Sequence, residues 1–130
     1  MILIFDTSIL VDLERIKKET IDRIRKLSKS YQSPAEITFM SYYEFLRGIK
    51  LKKPKNCEES IEFLNNFKVI RVTLKTAEIL SDLKVKYDKL GISFSITDLM
   101  IASQVIENHG ILVTRDKDFE KIEELNKIIL

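Results

Sequence analysis

Two kinds of hydrophobic pattern alternate along this chain. Ile2–Phe5 and Ile111–Thr114 are short continuous apolar runs, the mark of strands buried on both faces. Glu36–Met40, Lys68–Val72 and Lys127–Leu130 are further short strand-like stretches. Between them, apolar residues return every three or four positions, as on the inner face of a helix. The first such stretch, Ile9–Arg15, has Thr7 or Ser8 to cap it, and Ile21, Ile24 and Leu27 continue the spacing. Ser41 and Glu44 have the spacing of a capping box. The Lys53–Asn56 loop follows, and Asn56 caps a helix through Ile61, Leu64 and Phe67. Thr73 starts a helix with Ala77, Leu80, Leu83, Tyr87 and Leu90 on one face and Gly91 as its stop. Ser95 or Thr97 opens another, with Ile101, Ala102, Val105 and Ile106 inside and Gly110 beyond its end. Asp118–Glu124 predicts a short helix.

Strands alternating with helices predict one α/β domain over residues 1–130, with a parallel sheet covered on both faces. No repeat, linker or low-complexity tract interrupts it. In such sheets ligands sit beyond the carboxyl ends of the strands. Four acids fall at that edge. Asp6 follows the first strand, Glu44 opens the helix after the second, Asp98 lies in the first turn of the Ser95/Thr97 helix, and Asp116 follows Ile111–Thr114. Each has an ordinary explanation as a helix cap, a capping-box partner, a first-turn acid or part of a solvated run. Together they repel one another unless a cation is shared.

Composition narrows the chemistry. The three glycines stand far apart, so neither a dinucleotide fingerprint nor a P-loop can be written. One cysteine, Cys57, and one histidine, His109, cannot build a zinc site or a disulfide. His109 precedes Gly110 at a helix end, where a capping role is expected. Any metal must therefore take oxygen ligands, which suits Mg²⁺ or Mn²⁺, and such an ion supplies the water activation that no histidine is placed to give. No apolar run is long enough to span a membrane, and the lack of a disulfide or a leader-like start gives a cytoplasmic expectation.

Charge is uneven. Residues 1–56 carry 12 basic and 7 acidic side chains, whereas residues 57–130 carry 10 and 13. Two basic stretches, Arg15–Lys29 and Arg47–Lys55, account for the excess. A basic face on a near-neutral protein suits a polyanion, and Arg47, Lys50, Lys52 and Lys53 are candidate nucleic-acid-binding residues.

The motifs around these acids resemble those of PIN domains. Ile4-Phe5-Asp6-Thr7-Ser8-Ile9-Leu10 is similar to the opening motif and Ser41-Tyr42-Tyr43-Glu44-Phe45-Leu46-Arg47-Gly48 to the second. Asp98-Leu99-Met100-Ile101-Ala102-Ser103 and Leu112-Val113-Thr114-Arg115-Asp116-Lys117-Asp118-Phe119 are similar to the third and fourth. The resemblance spans nearly the whole chain and is closest to the compact VapC-type toxin ribonucleases. It implies a three-layer α/β/α PIN-like fold with a central mostly parallel sheet. It also implies a catalytic quartet of Asp6, Glu44, Asp98 and Asp116, with Thr7, Thr114 and the more variable Asp118 in support. Asp6, Asp98 and Asp116 are then the metal ligands. A Mg²⁺- or Mn²⁺-dependent endoribonuclease, a small antitoxin partner and a homodimer follow from the same resemblance.

Other classes fit less well. A haloacid-dehalogenase-like phosphatase needs a second Asp where Ser8 stands. A receiver domain needs an Asp after its third strand and a Lys after its fifth, and Val72-Thr73 and Leu130 supply neither. A ribosomal-RNA maturation nuclease of the same fold, or an inactive PIN fold kept for binding RNA or protein, are the remaining alternatives.

Overall fold

The computed structural model describes residues 1–52 and 55–130. Strand β1 (Leu3–Phe5) leads into helices α1 (Thr7–Glu14) and α2 (Lys18–Ser28), and β2 (Glu36–Thr38) into α3 (Phe39–Lys52) and α4 (Cys57–Leu64). Then come β3 (Lys68–Ile70), α5 (Leu74–Lys89), α6 (Ile96–Glu107), β4 (Ile111–Thr114), a 3₁₀ turn over Lys117–Lys121, and β5 (Lys127–Ile129). All pairings among the described strands are parallel, in the order β3-β2-β1-β4-β5. The sheet expected to be mostly parallel is wholly so.

Residues of one strand alternate between two cores because strand side chains have a period of two. Leu3, Phe5, Ile111 and Val113 meet Ile9, Leu10, Phe45, Ile49 and Leu64 on the face covered by α1, α3 and α4. Ile4 and Leu112 point the other way, toward Leu83, Tyr87, Leu99, Ala102, Val105 and Phe119. This is the three-layer α/β/α arrangement. Each fully buried Leu, Ile or Phe contributes roughly 1.5–3 kcal/mol relative to exposure, so both layers are anchored to the sheet independently of the site.

Several element ends differ from the sequence reading. The cap of α1 is Asp6, not Thr7 or Ser8: its Oδ1 accepts the Ile9 N–H at 3.3 Å. Strand β2 stops at Thr38 because Thr38 caps α3, its Oγ1 accepting the Ser41 N–H at 3.1 Å. Ser41 is consequently buried inside the helix, and no capping box forms with Glu44. Helix α4 ends at Leu64, before Phe67, and Asn56 caps it through its backbone only. On α5, Ala77 and Leu90 face solvent, while Thr76 is buried with Leu83 and Tyr87. Asp118–Glu124 gives way to the shorter 3₁₀ turn. Of the expected Lys53–Asn56 loop, Lys53 and Pro54 lie outside the described residues.

His109 takes the left-handed conformation after α6 (φ 52°), the capping role expected of it. Gly110 follows against β1, where a Cβ would lie 2.4 Å from Ile4 Cδ1. That close approach lets the chain pass from the end of α6 directly into β4 beside β1.

Candidate active site

The topology itself marks a site. From β1 the chain builds outward through β2 to β3, then returns to add β4 and β5 on the other side. The order reverses between β1 and β4, and crevices form outside the carboxyl ends of strands at such a switch. Asp6 ends β1 and Asp116 lies two residues after β4, so these acids flank it.

Local chemistry fixes each acid. Asp6 is buried at the start of α1. Its Oδ1 accepts from Ser8 Oγ at 2.6 Å and from the Ile9 amide, and its Oδ2 from Thr114 Oγ1. Burial pushes its carboxyl above the ordinary carboxylate range, against the opposing pull of those hydrogen bonds. Thr114 Oγ1 also accepts the Asp116 N–H at 2.9 Å, so one hydroxyl joins Asp6 to the loop carrying Asp116. Asp116 caps the 3₁₀ turn through the Asp118 N–H at 2.9 Å. Ser95 caps α6 by accepting the Asp98 N–H at 3.1 Å, and this points Asp98 out of the first turn. Glu44, free of a capping role, accepts from Thr7 Oγ1 at 2.9 Å.

Asp98, Asp116 and Asp118 converge, each offering a carboxylate oxygen within 4.8 Å of the others. Asp118, given only a supporting role from sequence, belongs to this group, whereas Asp6 and Glu44 do not. Burial raises the Asp98 carboxyl above its ordinary value, and the charges of Asp116, Asp118 and Glu44 add to that rise. Glu44 is thus near enough for its charge to register. Asp98 and Asp118 also line a hollow of about 170 Å³ with Phe94, Ser95 and Lys121.

Three crowded carboxylates, all hard oxygen donors and mutually repelling, fit a divalent cation of the Mg²⁺ or Mn²⁺ kind. Thr7 and Thr114 each donate a hydroxyl hydrogen bond to an acid, Glu44 and Asp6 respectively. The basic candidates are less unified. Arg47 and Lys50 line a cavity of about 270 Å³ with Tyr43, Leu46 and Leu51, whereas Lys52 lines a groove with Thr7 and Glu44. Lys53 lies outside the described residues.

The sequence reading missed one pair beside the acids. Asp12 is buried in α1, accepts from Thr20 Oγ1 at 2.6 Å and pairs with Arg115 Nε at 2.8 Å. A carboxylate one turn on from Ile9, on the core-facing side of a helix, was the available signal, since it demands a partner. Ser8 was weighed only as a cap. Its hydroxyl instead donates to Asp6 and accepts the Arg115 N–H at 3.1 Å.

Comparison with known proteins shows the family. The model of the PIN domain matches residues 3–125. The chain belongs to the PIN-domain family. A protein named Ribonuclease VapC from Rickettsia bellii is 32% identical over 129 residues, covering 95% of this chain and 92% of that one. Among solved structures, VapBC2 from Rickettsia felis, bound to a DNA fragment from its promoter, aligns with a TM-score of 0.83. It is 23% identical and covers 100% of this chain and 99% of its own. VapBC-1 from nontypeable Haemophilus influenzae aligns at 0.79, with 22% identity and coverage of 99% and 98%. Both share the PIN-domain fold seen here.

Proposed function

We propose that this PIN-domain chain is a metal-dependent endoribonuclease and the toxin half of a toxin–antitoxin pair. The observation that carries this reading is the convergence of Asp98, Asp116 and Asp118 at the sheet's switch point, where burial and then the neighbouring acids push the Asp98 carboxyl above its ordinary value. The 32% identity to a protein named Ribonuclease VapC supports the choice of RNA.

Asp98, Asp116 and Asp118 would hold Mg²⁺ or Mn²⁺, with Asp6 joined to them through Thr114. When bound, the cation supplies Lewis acidity toward water and toward a phosphoryl oxygen. The remaining work belongs to the side chains. Asp6, fixed by Ser8, Ile9 and Thr114, holds the two strand ends in register so that the ligands stay in place. Glu44 is positioned by Thr7 to accept a proton from a water at the edge of the cluster. Arg47, Lys50 and Lys52 lie on α3 and would contact substrate phosphates, and Lys53, next in sequence, would join them. The protein would act in the cytoplasm.

A small antitoxin would bind the same edge. A second copy of the chain would cover apolar side chains exposed near the starts of α3, α5 and α6, where Phe39 is 47%, Leu74 87% and Ile96 60% exposed. Light scattering at micromolar concentration should give the mass of a homodimer, and a monomer would remove that part of the proposal.

The test of the activity is cleavage of mixed RNA with Mg²⁺ or Mn²⁺, with mapping of the product ends. Internal cuts leaving 5′-phosphates and 3′-hydroxyls, abolished by chelator, are expected. Activity undiminished in excess chelator would overturn the metal assignment.

A further inference from the structure

Beside the acids lies a second cavity of the opposite sign. It encloses about 270 Å³ where α1 meets α2, and Lys17, Lys18, Arg23 and Arg115 line it with Asp12 and Glu19. Among the described residues, Lys17 and Lys18 have no carboxylate within ion-pair distance. Arg23 is held by Glu19 at 3.0 Å with its side chain half exposed. Arg115 is held by Asp12 at 2.8 Å and is likewise half exposed. The lining carries a net charge of about two positive units, available to an anion from solvent.

Two features show that the cavity is a constructed part of the fold. The turn joining α1 to α2 holds Ile16 at φ 56°, a left-handed conformation that a β-branched residue rarely adopts. It is closed by the Lys17 N–H on Asp12 O at 2.9 Å, and it sets Lys17 and Lys18 above the Asp12–Arg115 pair. Arg115 also sits in sequence between Thr114 and Asp116. As the chain leaves β4, Thr114 and Asp116 serve the acidic site, while the guanidinium turns to the basic cavity. One segment therefore presents carboxylates on one side and cations on the other.

We propose that this cavity, built by Lys17, Lys18, Arg23 and Arg115, is a phosphate-binding subsite for the RNA backbone on the α1–α2 flank of the acidic cluster. This rests on the ribonuclease reading above. A polyanion approaching crowded carboxylates is repelled by them, and cations fixed on the flank offset that repulsion while setting the direction in which the strand crosses the site. RNA is favoured over an acidic protein segment because the cavity takes Arg115 from the same segment that carries Asp116 into the acidic edge.

The experiment measures binding of a labelled single-stranded oligoribonucleotide by fluorescence anisotropy, over a range of salt, in an Asp98→Asn background. The Lys17→Gln/Lys18→Gln double variant should weaken binding at low salt by roughly tenfold and reduce the slope of log K against log salt by about 1.4, at about 0.7 per contact. Lys17→Arg/Lys18→Arg should keep the slope. All four substitutions are at exposed positions, so melting temperatures should match the parent's. A steep slope left unchanged by the glutamine pair would overturn this subsite alone. No salt-dependent RNA binding by the parent would overturn the subsite and the ribonuclease reading together.

Discussion

Asp12 and Asp98 are both aspartates on helices beside the end of β4, and their surroundings are opposite. Asp12 is buried with a cation, Arg115, and a hydroxyl donor, Thr20. Asp98 is half buried among Asp116, Asp118 and Glu44, whose charges resist its ionisation. The first carboxylate is neutralised from within the chain and serves the scaffold. The second is left for something from outside. What separates the scaffold from the site is the sign of the neighbours, which no single position in the sequence displays.

Substitution at the two positions should separate them most sharply. Asp98→Asn should lower RNA cleavage by about 100-fold or more, because ligand placement is lost. Its metal-free fold should be as stable as the parent's, or more so by up to about 1 kcal/mol, since solvent screens a half-exposed charge. An Asp98→Asn protein that cleaves RNA at the parental rate would dissolve the contrast. Asp12→Ala should do the reverse in denaturant melts, costing about 2 kcal/mol through loss of hydrogen bonds to a charged group. Unchanged stability would mean that Arg115 and Thr20 are as well served by water.

Metal and pH sharpen the same contrast with smaller effects. Adding Mg²⁺ should raise the melting temperature of the parent and of Asp12→Ala, and hardly move Asp98→Asn, because only a ligand of the native state stabilises it. Equal shifts in all three would place the ion elsewhere. For pH, burial and then the charges of Asp116, Asp118 and Glu44 raise the folded Asp98 carboxyl above its ordinary 3.8, and burial raises Asp6 likewise. The folded, metal-free protein keeps these protons to higher pH than the unfolded chain does. Its stability should therefore fall as pH rises from about 4 through the raised folded values, and the fall should be shallower in Asp98→Asn. Urea melts in chelator that show stability rising over that window would contradict both directions.

Much of this was legible in the chain. Continuous apolar runs at Ile2–Phe5 and Ile111–Thr114 locate the central strands, and the strand–helix alternation puts Asp6, Glu44, Asp98 and Asp116 on one edge. The finer arrangement was not. Ser41 and Glu44 have capping-box spacing, yet Thr38, three residues before Ser41, takes the cap and leaves Glu44 to Thr7, 37 residues away in sequence. Asp118 joins Asp98 and Asp116 because the Asp116 cap folds the 3₁₀ turn back, a local geometry that its spacing alone does not reveal. The Arg15–Lys29 stretch reads as basic, but only the turn at Ile16 and the reach of Arg115 select Lys17, Lys18 and Arg23 from it.

The hydrogen bond from Thr114 to Asp6 spans 108 residues of sequence. It lies at the central seam of the sheet, where β1, paired with β2 on its other edge, must wait for β4 to complete its pairing. Closing so long a loop costs entropy before it returns contacts, and native contacts of this range slow folding. During synthesis, the first acid emerges early and has no seam to join until the segment around residue 114 has left the ribosome. A truncated or stalled chain therefore carries the opening motif without an assembled site. Under the ribonuclease reading proposed above, this delay would keep nascent chains harmless to the message they are read from.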